Sequence, residues 1–163
     1  MTSESNQLFD ESRQRLEQYI AAHLPHAHKS GVLLESLSSD TLEMSAPLSG
    51  NDNELGQAFG TGIYTVCHMA CWSALYLRCK EVMDSPRILT RDAQIRYRHP
   101  VTASTVTASC RLPNETQWKG FFAHYKNTGK TTLTLTSRVY NGKDIAVYFD
   151  GVFVLVDENT KLS

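Results

Sequence analysis

Residues 51–72 read NDNELGQAFGTGIYTVCHMACW, a polar stretch carrying Gly56, Gly60 and Gly62 that runs into an apolar one holding His68. From Gln57 to Val82 the pattern is one long helix. Small residues (Ala58, Gly60, Gly62, Ala70, Ala74) mix there with Phe59, Ile63, Tyr64, Val66, Trp72 and Leu75, so the helix is apolar on nearly every side. Such a helix is either enclosed by other elements or buried in lipid. Thr61, Thr65, His68 and Ser73 interrupt the run, which favours enclosure within a protein core. Each Gly inside a helix costs roughly 1 kcal/mol relative to Ala, so something at this helix start must offset the glycines.

Around this helix the remaining chain reads mostly as strands. Leu8, Leu16, Tyr19, Ile20 and Leu24 form a helical stripe that stops at Pro25. VLLESL and TLEMSAPL, joined by SSD, read as a hairpin. After Pro86 the period changes to two. Ala93, Ile95 and Tyr97 alternate with Asp92, Gln94, Arg96 and Arg98, and TVTASCRL alternates in the same way. Trp118, Phe121, Phe122 and Tyr125 predict a short amphipathic helix ending at Gly129, and TTLTLTSRVY and DIAVYFDGVFVLV predict a hairpin through Asn141-Gly142. With one crossover helix of useful length, a parallel βαβ sheet is disfavoured. The expected class is α+β: an antiparallel sheet wrapped around one long central helix, with an extra N-terminal helix. One domain over 1–163 is expected, 1–28 forming a helical extension and 31–156 the core.

At 163 residues, 41% hydrophobic, 20% charged and net charge −1, the composition is globular and gives no electrostatic case for nucleic acid or a membrane surface. The start, MTSESNQLFDESRQRL, lacks the features of a signal peptide. Cys67, Cys71, Cys79 and Cys110 show no CxxC spacing and read as small buried hydrophobes, consistent with a reducing, cytoplasmic location. His23, His26 and His28 in HLPHAH have no carboxylate or cysteine to complete a metal set, so no metal is expected. A P-loop, a GxSxG elbow and a dinucleotide fingerprint are all absent, and no nucleotide cofactor is implied.

Taken together, NDNELGQAFGTGIYTVCHMACW, QIRYRHPV and FDGVFVLV resemble the hot-dog fold of acyl-thioesterases and dehydratases, in particular the YiiD C-terminal type of thioesterase domain, over Gly31 to Val156. The resemblance implies a homodimer or dimer of dimers with acyl sites at the subunit junction, acting on acyl-CoA or an acyl carrier protein. Better-known hot-dog thioesterases carry an Asn, then His-Gly-Gly, then an acidic residue nine positions after that His. Here Asn53 takes the Asn position, Phe59-Gly60-Thr61 replaces His-Gly-Gly, and the acidic position falls on His68. Members of the YiiD type share Ala-Phe-Gly at this point, which implies a distinct branch.

On this reading the Gly60 amide, at the positive end of the helix, polarises the thioester carbonyl. His68 either activates water as a general base or is a core or interface histidine bonded to a backbone carbonyl or Thr65. Asn53 is carried by the motif match, while Asp52 reads as a helix cap. Phe59, Thr61, Ile63 and Tyr64 are expected against substrate, and Arg96 and Arg98 either bind its phosphates or form a solvated strand face. Alternative functions are a non-catalytic acyl-binding domain and a hydroxyacyl dehydratase.

Overall fold

The computed structural model describes residues 3–160. Helix α1 (Ser3–His23) and the short helix α2 (Pro25–Lys29) precede the hairpin β1 (Leu33–Leu37) and β2 (Thr41–Pro47). Helix α3 (Gly60–Lys80) follows, then β3 (Arg87–Tyr97), β4 (Thr105–Arg111), α4 (Glu115–Thr128), β5 (Lys130–Asn141) and β6 (Asp144–Val156). The strands form one six-stranded sheet in the order β1-β2-β4-β5-β6-β3. Every neighbouring pair is antiparallel, giving the expected α+β class.

The period-two pattern sorts the two faces of this sheet. One row runs Leu34–Met44–Ala108–Val139–Val147–Tyr97 across all six strands, apolar but for the final phenol. The row of opposite parity runs Glu43–Ser109–Arg138–Tyr148–Arg96 and is polar. The apolar face curls around α3, whose Val66, Cys67, Ala70, Cys71 and Leu75 are buried. On the far side of α3, α1 buries Leu16 and Ile20 and lays Tyr19 against Trp72 and Tyr76, with ring centroids 5.7 and 4.7 Å apart. Burying a Leu or Ile side chain stabilises by about 1.5–3 kcal/mol, so α1 is a packed part of the core.

Two boundaries differ from the sequence expectation. Helix α3 begins at Gly60 and not at Gln57, because the chain ahead of it closes on itself: the Asn53 amide donates to Gln57 O at 2.7 Å, and the Phe59 amide donates to Asn51 O at 2.7 Å. Asp52 therefore bridges Ala58 across this loop instead of capping α3, whose cap residue Phe59 makes no side-chain bond. In the β5–β6 hairpin Asn141 pairs with Asp144, so Gly142 and Lys143 form the turn. Among the described residues no helix is long and apolar enough to cross a membrane.

Candidate active site

Asn51 ties the mouth of α3 together. Its side-chain amide donates to Ser30 O at 3.0 Å and Pro47 O at 2.8 Å, while its carbonyl holds the Phe59 amide. Gly62 lies against it, and a Cβ at that position would stand 3.0 Å from Asn51 Cβ and 3.2 Å from its carbonyl oxygen. Gly56 has φ +70°, in the left-handed region that favours glycine. These two glycines are thus accounted for by close packing and by a turn. Gly60 is different: a Cβ there would meet the Tyr97 hydroxyl at 3.4 Å, an ordinary contact, and its carbonyl accepts from that hydroxyl at 2.7 Å. The Ile63 amide donates to Phe59 O at 3.0 Å. Helix geometry leaves the preceding amides, of Gly60, Thr61 and Gly62, without intrahelical acceptors at the positive end of the dipole.

His68 bridges α3 to β3, its Nε2 lying 2.7 Å from Thr90 Oγ1. Tyr64 stacks on the ring at 5.9 Å, Phe153 lies 5.5 Å away, and Phe149 meets it edge-on at 6.2 Å. Burial in this aromatic setting lowers the His68 pKa from its ordinary 6.5, so the imidazole is neutral at pH 7, with hydrogen on one ring nitrogen and a lone pair on the other. Thr65 is engaged elsewhere. Its hydroxyl donates to Thr61 O at 2.9 Å, and His26 Nε2 lies 3.2 Å from the same oxygen.

Two cavities meet along this part of α3. The larger, about 480 Å³, is roofed by His23, Leu24, Pro25, His26 and Ala27 and floored by Tyr64, Thr65, His68, Met69 and Trp72, with Thr90 at its side. The smaller, about 260 Å³, lies at the helix mouth between His26, Lys29 and Ser30 on one side and Gly50, Asn51, Asp52, Phe59, Thr61 and Gly62 on the other. His26 and Thr65 line both.

The structure thus gathers some of the expected residues and separates others. Phe59 and Thr61 line the small cavity, and Tyr64 and His68 line the large one. Ile63 is buried in the core and lines neither. The Asn53 side-chain oxygen accepts the Leu55 and Gln57 amides at 2.9 and 3.0 Å and so shapes the loop. Arg96 and Arg98 share the outer face of the sheet, away from α3, where the Arg98 guanidinium sits 5.9 Å from the Tyr148 ring centre. Gly60 and His68 are eight residues apart, a rise of about 12 Å along α3, which leaves a carbonyl on the Gly60 amide at the limit of reach of a water held by His68. Sequence reasoning missed Asn51, Met69 and Thr90 as parts of the site, and considered His23 and His26 only as metal ligands. The signal available was the clustered imidazoles of HLPHAH. Among the described residues no group of three or more His, Cys, Asp or Glu is placed to hold a metal ion.

A family model described as "Putative thioesterase (yiiD_Cterm)" matches residues 13–157. The chain belongs to this family. The matched span includes the second half of α1 and all of α2, so the roof of the large cavity lies inside the family unit, whereas the sequence motifs reached back only to Gly31. Among solved structures, a protein of unknown function from Chlorobaculum tepidum is 29% identical, with TM-score 0.86 over 91% of this chain and 96% of its own. A protein described as a putative thioesterase from Shewanella oneidensis is 27% identical, with TM-score 0.77 over 91% and 99%. A thioesterase from Haemophilus influenzae, 10% identical with TM-score 0.66 over 93% and 94%, shares the fold. The YiiD-type domain thus carries its sheet, central helix and roofed cavity on a hot-dog fold.

Proposed function

We propose that this YiiD-type domain hydrolyses acyl thioesters of coenzyme A or of an acyl carrier protein, with the acyl chain in the large cavity. The observation that carries the reading is a neutral His68 set in an apolar, aromatic cavity of a thioesterase-family chain. His68 takes a proton from water, and the water oxygen attacks the thioester carbonyl carbon. The carbonyl π pair moves onto oxygen. On collapse the C–S bond breaks, its electron pair leaves with sulfur, and the proton passes to the thiolate, giving an acid and a thiol. The large cavity is within the range of small-molecule sites, and its lining suits an acyl chain.

Thiol release from short-, medium- and long-chain acyl-CoA and from an acyl carrier protein tests the reading. No turnover on any of them defeats it. A second reading, acyl binding without hydrolysis, is favoured by one observation: among the described residues, no carboxylate hydrogen-bonds His68. Full turnover in both His68→Ala and Asn53→Ala removes the catalytic assignments, whereas acyl-CoA binding by a wild-type chain that turns over nothing in the panel establishes the second reading.

The protein also acts as a dimer on this reading. Among the described residues strand β3 pairs only with β6, and an unpaired edge of eleven residues is a template for another strand. Thr90 lies on that edge and bonds His68, so a second copy paired there borders the large cavity. Sedimentation is expected to show a species of twice the 18.3 kDa chain mass; a species of 18.3 kDa alone refutes the pairing.

A further inference from the structure

His26 belongs to neither the strands nor the central helix, yet it stands where the two cavities meet. Its partner fixes its proton. The Thr65 hydroxyl has one hydrogen, which is given to Thr61 O at 2.9 Å, so Thr65 Oγ1 is an acceptor toward His26 and the imidazole carries hydrogen on Nε2. The bond is 3.2 Å long, and His26 is exposed, so exchanging Thr65 for another acceptor requires only a small movement.

We infer that His26 is the hydrogen-bond donor to the thioester carbonyl oxygen, its Nε2–H moving from Thr65 to the substrate as the thioester bridges the two cavities. This rests on the thioesterase reading above and assigns a residue that reading lacks. His26 faces Thr65, three residues and about 4.5 Å of helix rise from His68, whereas the Gly60 amide is about 12 Å along the axis. A carbonyl at the junction therefore lies close to both imidazoles. Phe59, the side chain at the helix mouth, has no hydrogen to donate.

The division of labour is chemically balanced. His68 takes the water proton and returns it to the leaving sulfur. His26 keeps its own proton throughout and stabilises the charge that develops on the carbonyl oxygen and disappears when the C–S bond breaks. The acyl chain extends toward Met69 and Trp72, and the thiol portion leaves through the polar cavity beside Lys29. The segment ahead of the hairpin thus takes part in the chemistry as well as covering α3.

The test is steady-state thioester hydrolysis by the full chain, with kcat and KM separated, on the best acyl-CoA substrate of the panel. Removing one oxyanion donor typically lowers kcat by about 100- to 1000-fold, so His26→Phe is expected to lose about 100-fold in kcat with KM changed less than about threefold. His26→Gln retains an N–H donor at comparable reach and is expected to recover kcat to within about tenfold of wild type. His28→Phe, on the same short helix but lining neither cavity, controls for damage to α2 and should stay within about twofold. A His26→Phe protein with unchanged kcat, or one altered only in KM, overturns the assignment while leaving the thioesterase reading intact. Equal loss in the Phe and Gln variants assigns the effect to ring packing and also overturns it. A wild-type protein inert toward the whole panel removes the reading and this inference together.

Discussion

The same substitution, Gly to Ala, is expected to have opposite effects two residues apart at the mouth of α3. Neither Gly60 nor Gly62 has positive φ, so backbone conformation permits Ala at both. Helix propensity alone then favours each change by up to about 1 kcal/mol. At Gly60 the new methyl meets the Tyr97 hydroxyl at 3.4 Å, and no atom has to move. At Gly62 it stands 3.0 Å from Asn51 Cβ and 3.2 Å from Asn51 O. Asn51 cannot easily retreat, because its amide bridges Ser30 and Pro47 and its carbonyl holds the Phe59 amide. Overpacking of this kind costs about 1–3 kcal/mol, which less a full propensity gain leaves a net loss of up to about 2 kcal/mol for Gly62→Ala and sets it about 1–3 kcal/mol below Gly60→Ala.

Urea denaturation followed by far-UV circular dichroism measures the difference. With a slope of about 2 kcal/mol per molar urea, the Gly62→Ala midpoint is expected to lie roughly 0.5–1.5 M below that of Gly60→Ala, which itself is unchanged or slightly raised relative to wild type. Equal midpoints for the two variants, or a lower one for Gly60→Ala, refute the packing account and return Gly60 to the group of glycines held by their neighbours.

Three other outcomes follow from burial. The His68 pKa lies below 6.5 because its ring is desolvated, so between that pKa and 6.5 the unfolded chain binds a proton that the folded chain does not. Stability is then complete above about pH 6.5 and is lost as pH falls through this window, and the acid limb of kcat/KM lies below 6.5. A wild-type stability that rises relative to His68→Phe on acidification contradicts the sign. Ser73 is fully buried and, among the described residues, its hydroxyl has no partner, so Ser73→Ala should stabilise by about 1 kcal/mol in the same urea assay; a loss of stability shows that the hydroxyl is satisfied. All four cysteines are buried and free, and burial pushes the Cys67 and Cys79 thiols up to about 12, so a disulfide reagent at pH 8 should modify none in the folded protein and all four in denaturant. Rapid labelling without denaturant refutes this packing.

The strands were legible because each face of the sheet is written in alternate residues. The parity that puts Ala93, Ile95 and Tyr97 on one side already puts Arg96 and Arg98 on the other, away from α3. Helix α3 was legible in kind but not at its start, since Ala58 and Phe59 continue the apolar pattern while their amides are captured by Val101 O and Asn51 O. The site was less legible for a related reason. Asn51 and Asn53 are interchangeable as letters, and only the folded chain brings Ser30 and Pro47 to the first while giving the second to its own loop. Likewise His26 reaches Thr65 across 39 residues and Thr90 reaches His68 across 22, pairings that no local pattern encodes.

The cavity itself has a local cause in Leu24-Pro25. Helix α1 approaches the mouth of α3 from the far end, packing Tyr19 on Tyr76 and Trp72 before its last residue, His23, reaches the cavity roof. Had it continued, its next turn would lie over Thr65 and His68 and fill the space there. Proline disfavours helical dihedrals in the residue before it, and Leu24 sits at φ −123° and ψ 70°, where α1 cannot propagate. The chain bends at this single residue and resumes as α2, whose proline can occupy a helix start without losing an intrahelical bond. The break therefore leaves His68 roofed but not packed over, in a space that burial keeps apolar and the fold keeps open. It also sets His26 at the edge of that space, so one proline both keeps the cavity open and places a second imidazole beside it.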